Sequence, residues 1–549
     1  MSFIYSFISL IKLIKGPIIS VILLRIQHIE LFLLLFTIIV LLTLSFRLVK
    51  KQFVQIKKKT WILLIIIFIF ALFFRFSGEH NHMIFYDEHY LNAIGRNILL
   101  HNTAGQCSYI SFTFNKLHCN IIQPFTGWSV MISIMYFLFG VSESVSLYFT
   151  SFIGALTVFL IFSLSYLLFK KESYALTAAF LFSVSMTHIT WSKSSISNII
   201  GLLLILLIFI IQLIYCTDKK PRLNLLIVLL FAYSIQTRIE YLMYLPIIAL
   251  VYFLFINNFK RKIVKSNFFK PWLLFLALTI FYVPQVIMIL FNYKNIYPNN
   301  FSTIFQNNLN FFLGQVYQPS FFYLFLIIGL VYSFIKYRKQ LIILVLLYII
   351  TLLIYSSTYQ MFSRYYILNL SCIIFVQAIG IWVMFDFIIK YVKSHNNIIN
   401  KLVIIFIFLL ILIPSYNMIK SSTMLWDYQV LTLKIPLSVE SNINNDCFII
   451  TDALDEVTFS SGTLLKTMLI TNFIPYVKYN EWIFDKKYGM CFLYYEGMGC
   501  RGPLDSDLTK KDCNLMQRSF DLKPIYSYKR NLLTYEFYKI NKKETNVKG

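Results

Sequence analysis

Pro124-Phe125-Thr126-Gly127-Trp128, continuing as SVMISIMYFLFG to Gly140, is the stretch on which the topology turns. It is apolar throughout, yet it opens with a proline and offers about 15 helical residues, short of the about 20 needed to cross roughly 30 Å of hydrocarbon. It is therefore expected to lie along the outer surface of a membrane rather than to pass through it. Whether this one segment crosses sets the sidedness of every loop that follows.

Hydrocarbon is the solvent to reason from, because 58% of the 549 residues are apolar and only 13% are charged. A soluble domain carries about 25% charged residues. The formal charge of +25 would suggest nucleic acid in a soluble protein. Here Lys and Arg fall in short clusters between apolar runs, so nucleic acid is not an expected partner. Apolar stretches near 29–46, 60–76, 145–169, 174–191, 196–216, 223–236, 241–257, 271–291, 320–335, 341–356, 365–389 and 402–418 predict about twelve crossings. The opening segment Met1 to Leu24, interrupted by Lys12, Lys15 and Gly16-Pro17, fits either a further crossing or an interfacial helix. It lacks a charged start followed by a small-residue cleavage site, so no cleaved signal peptide is expected.

Charge orients these spans. The loop after Phe46 carries Arg47, Lys50, Lys51, Lys57, Lys58 and Lys59, a basic loop of the kind retained in the cytoplasm, so the helix 60–76 runs outward. If 124–140 does not cross, the clusters Lys170-Lys171, Lys219/Lys220/Arg222, Lys260 to Lys270, Lys336/Arg338/Lys339 and Lys390/Lys393/Lys401 all fall inside. If it does cross, every one of them is translocated, against the positive-inside rule. Cysteine placement agrees with the first choice. Cys107 and Cys119 fall in the outer loop, and Cys447, Cys491, Cys500 and Cys513 fall beyond the last helix; both sets are even, as on an oxidising side of a membrane. Cys107 is expected to pair with Cys119, while Cys216 and Cys372, in or beside helices, are expected to be inert apolar residues.

Three parts follow: N-terminal membrane segments and basic loop over 1–59, a helical membrane core over 60–420 with an outer loop at 77–144, and a tail over 421–549. The tail mixes charges of both signs with strand-like runs at Cys447 to Thr451, Cys491 to Tyr495 and Leu532 to Ile540, so it is expected to form a small extracytoplasmic α/β domain. The whole is an α-helical polytopic protein of the plasma membrane with that domain appended.

Chemistry is concentrated on the outer side. Phe85-Tyr86-Asp87-Glu88-His89-Tyr90 stands about ten residues past a membrane helix and precedes a helical pattern through Leu91, Ile94, Ile98 and Leu99. An aspartate there has the chemistry to accept a proton from an attacking hydroxyl, or simply to cap the helix that follows. Facing it on the same side are three outer turns: His188, Trp191, Lys193 and Asn198; Arg238 and Glu240; and Arg364 with Tyr365 and Tyr366. Basic side chains are costly near a bilayer and tend to be kept for an anionic partner, although snorkelling or an Arg238–Glu240 pair would also account for some of them. No Walker loop, GxSxG elbow, HExxH or CxxC pair is present, which removes nucleotide hydrolysis, serine esterase, zinc protease and thiol redox chemistry. His80 and His82 near Asp87 have the donor atoms for a divalent metal, but their spacing follows no fixed ligand pattern, so no metal or other cofactor is expected.

The order Tyr86-Asp87-Glu88, then Gln123-Pro124-Phe125-Thr126-Gly127-Trp128 ending in Phe139-Gly140, then His188 to Asn198, then Arg364-Tyr365-Tyr366-Ile367, resembles the GT-C superfamily of polyprenyl-phosphate-sugar glycosyltransferases. Within it, the nearest likeness is to the protein mannosyltransferase, aminoarabinose transferase and RgtA-like group, over roughly residues 60–420. The resemblance implies transfer of a sugar, with inversion, from a polyprenyl-phosphate donor to a lipid, glycan or protein acceptor. It implies Asp87 as the general base with Glu88 beside it, and Arg364, Lys193 and Arg238 at the donor phosphate. His188, Glu240, Gln123 and Tyr365 would contact substrate. Lys193 and Asn198 depart from the family, whose members often have arginine and an acid there. Trp426-Asp427-Tyr428 matches the oligosaccharyltransferase WWDYG signature only in part and is taken as coincidence. A transporter or flippase of a lipid-linked or small-molecule substrate is the alternative, which predicts charged or broken helices at mid-membrane depth.

Overall fold

A computed structural model describes residues 17–77, 86–111, 116–120, 126–256, 269–280, 322–356, 367–392, 447–451, 466–469, 491–496, 507–530 and 533–541. The helical part comprises α1 (Pro17–Phe53), α2 (Lys58–Phe76), α3 (Tyr86–His101), a hairpin of β1 (Gln106–Ser111) and β2 (Lys116–Asn120), α4 (Gly127–Phe139), α5 (Glu143–Phe169), α6 (Glu172–Ser183), α7 (Met186–Ser192), α8 (Ser197–Asp218) and α9 (Pro221–Thr237). A 3-10 turn (Ile239–Tyr244), α10 (Leu245–Phe255), α11 (Phe269–Ile280), α12 (Phe322–Lys336), α13 (Arg338–Ser356) and α14 (Ile367–Val392) follow. Eleven of the twelve expected apolar stretches coincide at least in part with these helices; 402–418 lies outside the described residues.

Among the described residues five helices are long and apolar enough to cross a membrane, within α1, α2, α5, α8 and α14. Their burial grades from rim to centre: 17% of the apolar window of α1 is buried against 89% for α8. An all-apolar helix such as α8 belongs inside the bundle, whereas Leu33, Phe36 and Phe46 of α1 are exposed apolar side chains suited to lipid. The stretch 174–191 is not one helix. α6 stops at Ser183 and the chain restarts as α7, because the Ser183 carbonyl accepts from the Arg75 guanidinium at 3.1 Å and the Ser183 hydroxyl bonds back to Phe180 O at 2.7 Å.

Helices α12 and α14 touch backbone to backbone. A Cβ on Gly329 would fall 2.0 Å from Val376 O, and one on Gly380 would fall 1.9 Å from Phe325 O, so only glycine permits the approach.

Contacts sort the loops into two ends. At one, the Thr60 hydroxyl donates to the Glu172 carboxylate, Lys51 pairs with Asp218 at 3.8 Å, Gln340 Nε2 donates to Leu168 O at 3.1 Å, and Lys339 Nζ donates to Leu254 O at 3.3 Å. The basic clusters at 57–59, 170–171, 219–222 and 336–339 therefore share one end of the bundle, as expected if 124–140 does not cross. At the other end Lys193 Nζ meets Ser77 O, Ser151 Oγ donates to Ser192 O at 2.9 Å, and Arg238 meets Asn198.

α4 lies at this second end. Its start is buried: Trp128 stacks on Phe149 at 5.8 Å, Tyr233 OH donates to Gly127 O at 2.8 Å, and a Cβ on Gly127 would press 2.8 Å against the Gln236 backbone. Its tail, Phe137 to Phe139, is exposed, and Gly140 ends it at φ +85°, a conformation that suits glycine.

Beyond the bundle lie β3 (Cys447–Thr451), β4 (Lys466–Leu469), β5 (Cys491–Glu496), α15 (Asp507–Ser519), β6 (Asp521–Arg530) and β7 (Leu533–Asn541). They form one mixed sheet in the order β4-β3-β5-β7-β6, with β3 parallel to both neighbours and β7 antiparallel to both of its own. Met516, Cys513 and Phe520 on or just after α15 are buried, giving the small α/β unit expected. Cys107 and Cys119 stand directly opposite in the β1–β2 register, Cys447 stands opposite Cys491, and Cys513 is disulfide-bonded. Cys216 and Cys372 are free and buried.

Candidate active site

The end of the bundle away from the basic loops is built around a buried arginine. Arg75, in the last turn of α2, is fully buried. Its Nη1 donates to Ala71 O at 2.9 Å and Ser183 O at 3.1 Å, and its Nη2 lies 2.7 Å from His188 Nδ1. Arginine can only donate, so His188 Nδ1 accepts and the ring is neutral with its proton on Nε2. That Nε2 stands 3.5 Å from Thr157 Oγ1, and the ring packs 4.2 Å from Phe182. Gly154 of α5 makes room: a Cβ there would strike the Ser192 side chain at 2.3 Å.

One residue past α7, Lys193 is 5% exposed and donates from Nζ to Ser77 O at 2.5 Å. Ser77 is the C-cap of α2, ten residues before Asp87 in the sequence. Burial first, and the nearby Arg75 charge second, holds the Lys193 ammonium below the ordinary lysine range. Among the described residues, neither Arg75 nor Lys193 has a carboxylate within ion-pair distance. Two buried cations without an acid make an unbalanced positive site.

α3 is fastened to the same turn. Asn92 and Ser195 exchange hydrogen bonds at 3.0 and 3.1 Å, Tyr136 OH of α4 donates to Asn92 Oδ1 at 3.3 Å, and Ser129 Oγ donates to Leu91 O at 2.7 Å. Asp87 and Glu88 occupy the first turn of α3, about 7.5 Å of helix rise before Asn92 for Asp87. Acidic residues suit that turn, where the helix dipole is positive.

The third element is an ion pair. Arg238 Nη2 pairs with Glu240 Oε1 at 3.0 Å, its Nε reaches Oε2 at 3.4 Å, and its Nη1 donates to Asn198 Oδ1 at 2.7 Å. Arg238, expected at a donor phosphate, has its charge already met, and Glu240, expected on substrate, is its counter-ion. His188, also expected on substrate, is spent on Arg75 inside the protein. Arg364, Tyr365, Gln123, His80 and His82 lie outside the described residues. Arg75 and Asn92 were missed by sequence reasoning. An arginine inside the otherwise uncharged run 60–76 was the available signal for the first; nothing local announces the second. Among the described residues no three metal-ligating side chains gather.

Residues 124–287 match the family model of dolichyl-phosphate-mannose-protein mannosyltransferases. No curated protein matches the chain in sequence. Among solved structures, apo ArnT from Cupriavidus metallidurans superposes with a TM-score of 0.55 at 10% identity, over 87% of this chain and 96% of that one. The chain has the fold of the GT-C glycosyltransferases. ArnT bound to undecaprenyl phosphate gives a TM-score of 0.51 at 10% identity, over 87% of this chain and 97% of ArnT. The Archaeoglobus fulgidus oligosaccharyltransferase in its apo form gives 0.49 at 12% identity, over 90% of this chain and 76% of its own. With five helices long and apolar enough to cross a membrane among the described residues, the chain is an integral membrane protein. The segment matched by the mannosyltransferase family holds α4, the Lys193 turn and the Arg238–Glu240 pair.

Proposed function

We propose that this GT-C chain transfers a sugar, with inversion, from a polyprenyl-phosphate donor to a hydroxyl of a lipid, glycan or protein acceptor. The reaction takes place at the extracytoplasmic end of a plasma-membrane protein. The orientation rests on the basic loops gathered at the opposite end, which the positive-inside rule keeps in the cytoplasm. The single observation that carries the reading is Lys193, a buried cation without an acid among the described residues, capping the carbonyl of Ser77, ten residues before Asp87 in the sequence. The undecaprenyl phosphate bound by ArnT supports a lipid phosphate as the anion.

In this reading Asp87 takes the acceptor hydroxyl's proton as its oxygen attacks the anomeric carbon, with Glu88 holding the acceptor. The bond from that carbon to the donor phosphate breaks on the opposite face, and the electron pair leaves with the phosphate. Lys193 and Arg364 stabilise the charge that develops on it, where positive groups lower the barrier most. Gln123 and Tyr365 contact substrate. Arg238, His188 and Glu240 hold the turns in place.

The test is transfer of labelled sugar from a synthetic polyprenyl-phosphate donor by purified protein. Asp87→Asn should lose at least about 100-fold in rate, the usual scale of general-base catalysis, while still retaining the donor. Full transfer by that variant would remove Asp87 as the base, and transport of the lipid without sugar transfer would replace the enzyme with a flippase.

A further inference from the structure

At the basic end, far from Asp87, two lysines from different loops converge on one group of phenols. Lys171, preceding α6, donates from Nζ to Tyr174 OH at 3.2 Å and sits 4.8 Å over that ring. Lys336, the last residue of α12, donates to Tyr332 OH at 3.2 Å and sits 5.6 Å over its ring. Tyr337 bridges the two phenols by ring contact, standing edge-on to Tyr174 at 6.4 Å between centroids and tilted against Tyr332 at 6.2 Å. The two ammonium groups thus each hold one end of a contiguous set of three phenol rings.

Proton accounting says what is missing. The Tyr174 and Tyr332 oxygens each accept from a lysine, so their own hydroxyl protons are left to give, along with the remaining protons on two ammonium groups. The cluster is rich in donors and needs an acceptor. Among the described residues neither lysine pairs with a carboxylate: Glu172 is turned to Thr60 and Lys57 N, and Asp386 stands exposed nearby without reaching ion-pair distance of either lysine. Beside Lys336, the side chains of Val331, Phe334 and Ile335 are exposed and apolar, at the level where the helix leaves the hydrocarbon. A ligand that fits both surfaces has an anionic oxygen-bearing head and an apolar chain.

We propose that Lys171 and Lys336, with the Tyr174, Tyr332 and Tyr337 hydroxyls, form a binding site for the phosphate head of an anionic phospholipid at the cytoplasmic rim, its chain lying along α12. The site is separate from the donor-phosphate site at the other end. It rests on the same orientation of the basic loops, but not on glycosyl transfer, so its failure and the failure of the enzymatic reading are distinguishable.

The full chain in phosphatidylcholine nanodiscs doped with phosphatidylglycerol, with retained lipid read by native mass spectrometry, provides the test. A charge-assisted hydrogen bond to a phosphate oxygen is worth roughly 10-fold in affinity, so K171Q/K336Q should retain phosphatidylglycerol on the order of 100-fold less well than wild type. Tyr332→Phe, which keeps both charges, should lose several-fold, and K50Q/K51Q at the same end should retain as wild type does. Retention by the K171Q/K336Q variant equal to wild type would overturn the proposal. So would an equal fall in K50Q/K51Q, which would mean diffuse attraction, or displacement of the lipid by inorganic phosphate in the same buffer, which would mean a free anion.

Discussion

Replacing Lys193 with methionine keeps the length and apolar stem of the side chain and removes one buried cation. Among the described residues its side-chain partner is Ser77 O, a half-buried carbonyl at a helix end, so the structural loss is about 1 kcal/mol. Against that stands relief of burial and of the Arg75 repulsion, which together depress the lysine. Stability should therefore hold or rise. The sign in pH follows from the same cause. The folded-state value lies below the ordinary 10.5, so the native protein binds fewer protons than the unfolded chain between the two values. The penalty is full below the folded value and is relieved as pH climbs toward 10.5, a gain in stability that the methionine variant should lack. Function moves the other way. If Lys193 holds the donor phosphate, one charge-assisted hydrogen bond worth about 1.5–3 kcal/mol disappears, or roughly 10- to 150-fold in kcat/KM. Transfer kinetics and thermal unfolding in detergent across pH 7 to about 10.5 read both arms. A variant within about 3-fold of wild type in kcat/KM, or one that loses activity only in step with its Tm, refutes the argument.

Asn92→Leu should cost about 1–3 kcal/mol by stranding Ser195 and Tyr136, visible as a lower Tm, and should slow transfer because the Asp87 turn loses its anchor. Gly380→Ala should destabilise by about 1–3 kcal/mol or more, since the new methyl lands on Phe325 O, whereas Gly140→Ala meets open space and costs about 1 kcal/mol of backbone strain alone; both are read by thermal melts. For the Arg238–Glu240 pair, 13% and 23% exposed, the double variant R238Q/E240Q should be closer to wild type than either single. A double-mutant cycle should give a coupling of about 0.5–1 kcal/mol after solvent screening; no coupling would return Arg238 to the donor.

What was legible in the sequence is what a bilayer imposes locally. A helix must be long and apolar, and a loop's lysines mark its end of the bundle, so the helix positions, the short helix at 127–139 and the common end of the described basic clusters follow from spacing and charge alone. Other features depend on partners brought together by the fold. The break after Ser183 needs Arg75, which lies 108 residues earlier in the chain. His188 meets an arginine 113 residues away in the chain, and Asn92 acquires meaning only through Ser195. The Arg238–Glu240 pair was visible as an option two residues apart, but choosing between it and an anion site required the Asn198 contact that fixes the guanidinium.

The glycine contact between α12 and α14 has a mechanical consequence. Helices whose backbones meet at Gly329 and Gly380 cannot slide past one another without lifting a peptide group off its neighbour, so they move as a single strut. That strut bears Lys336 at one tip, and at the other it begins three residues after Arg364. A push on one tip is therefore carried by both helices together toward the opposite end of the bundle.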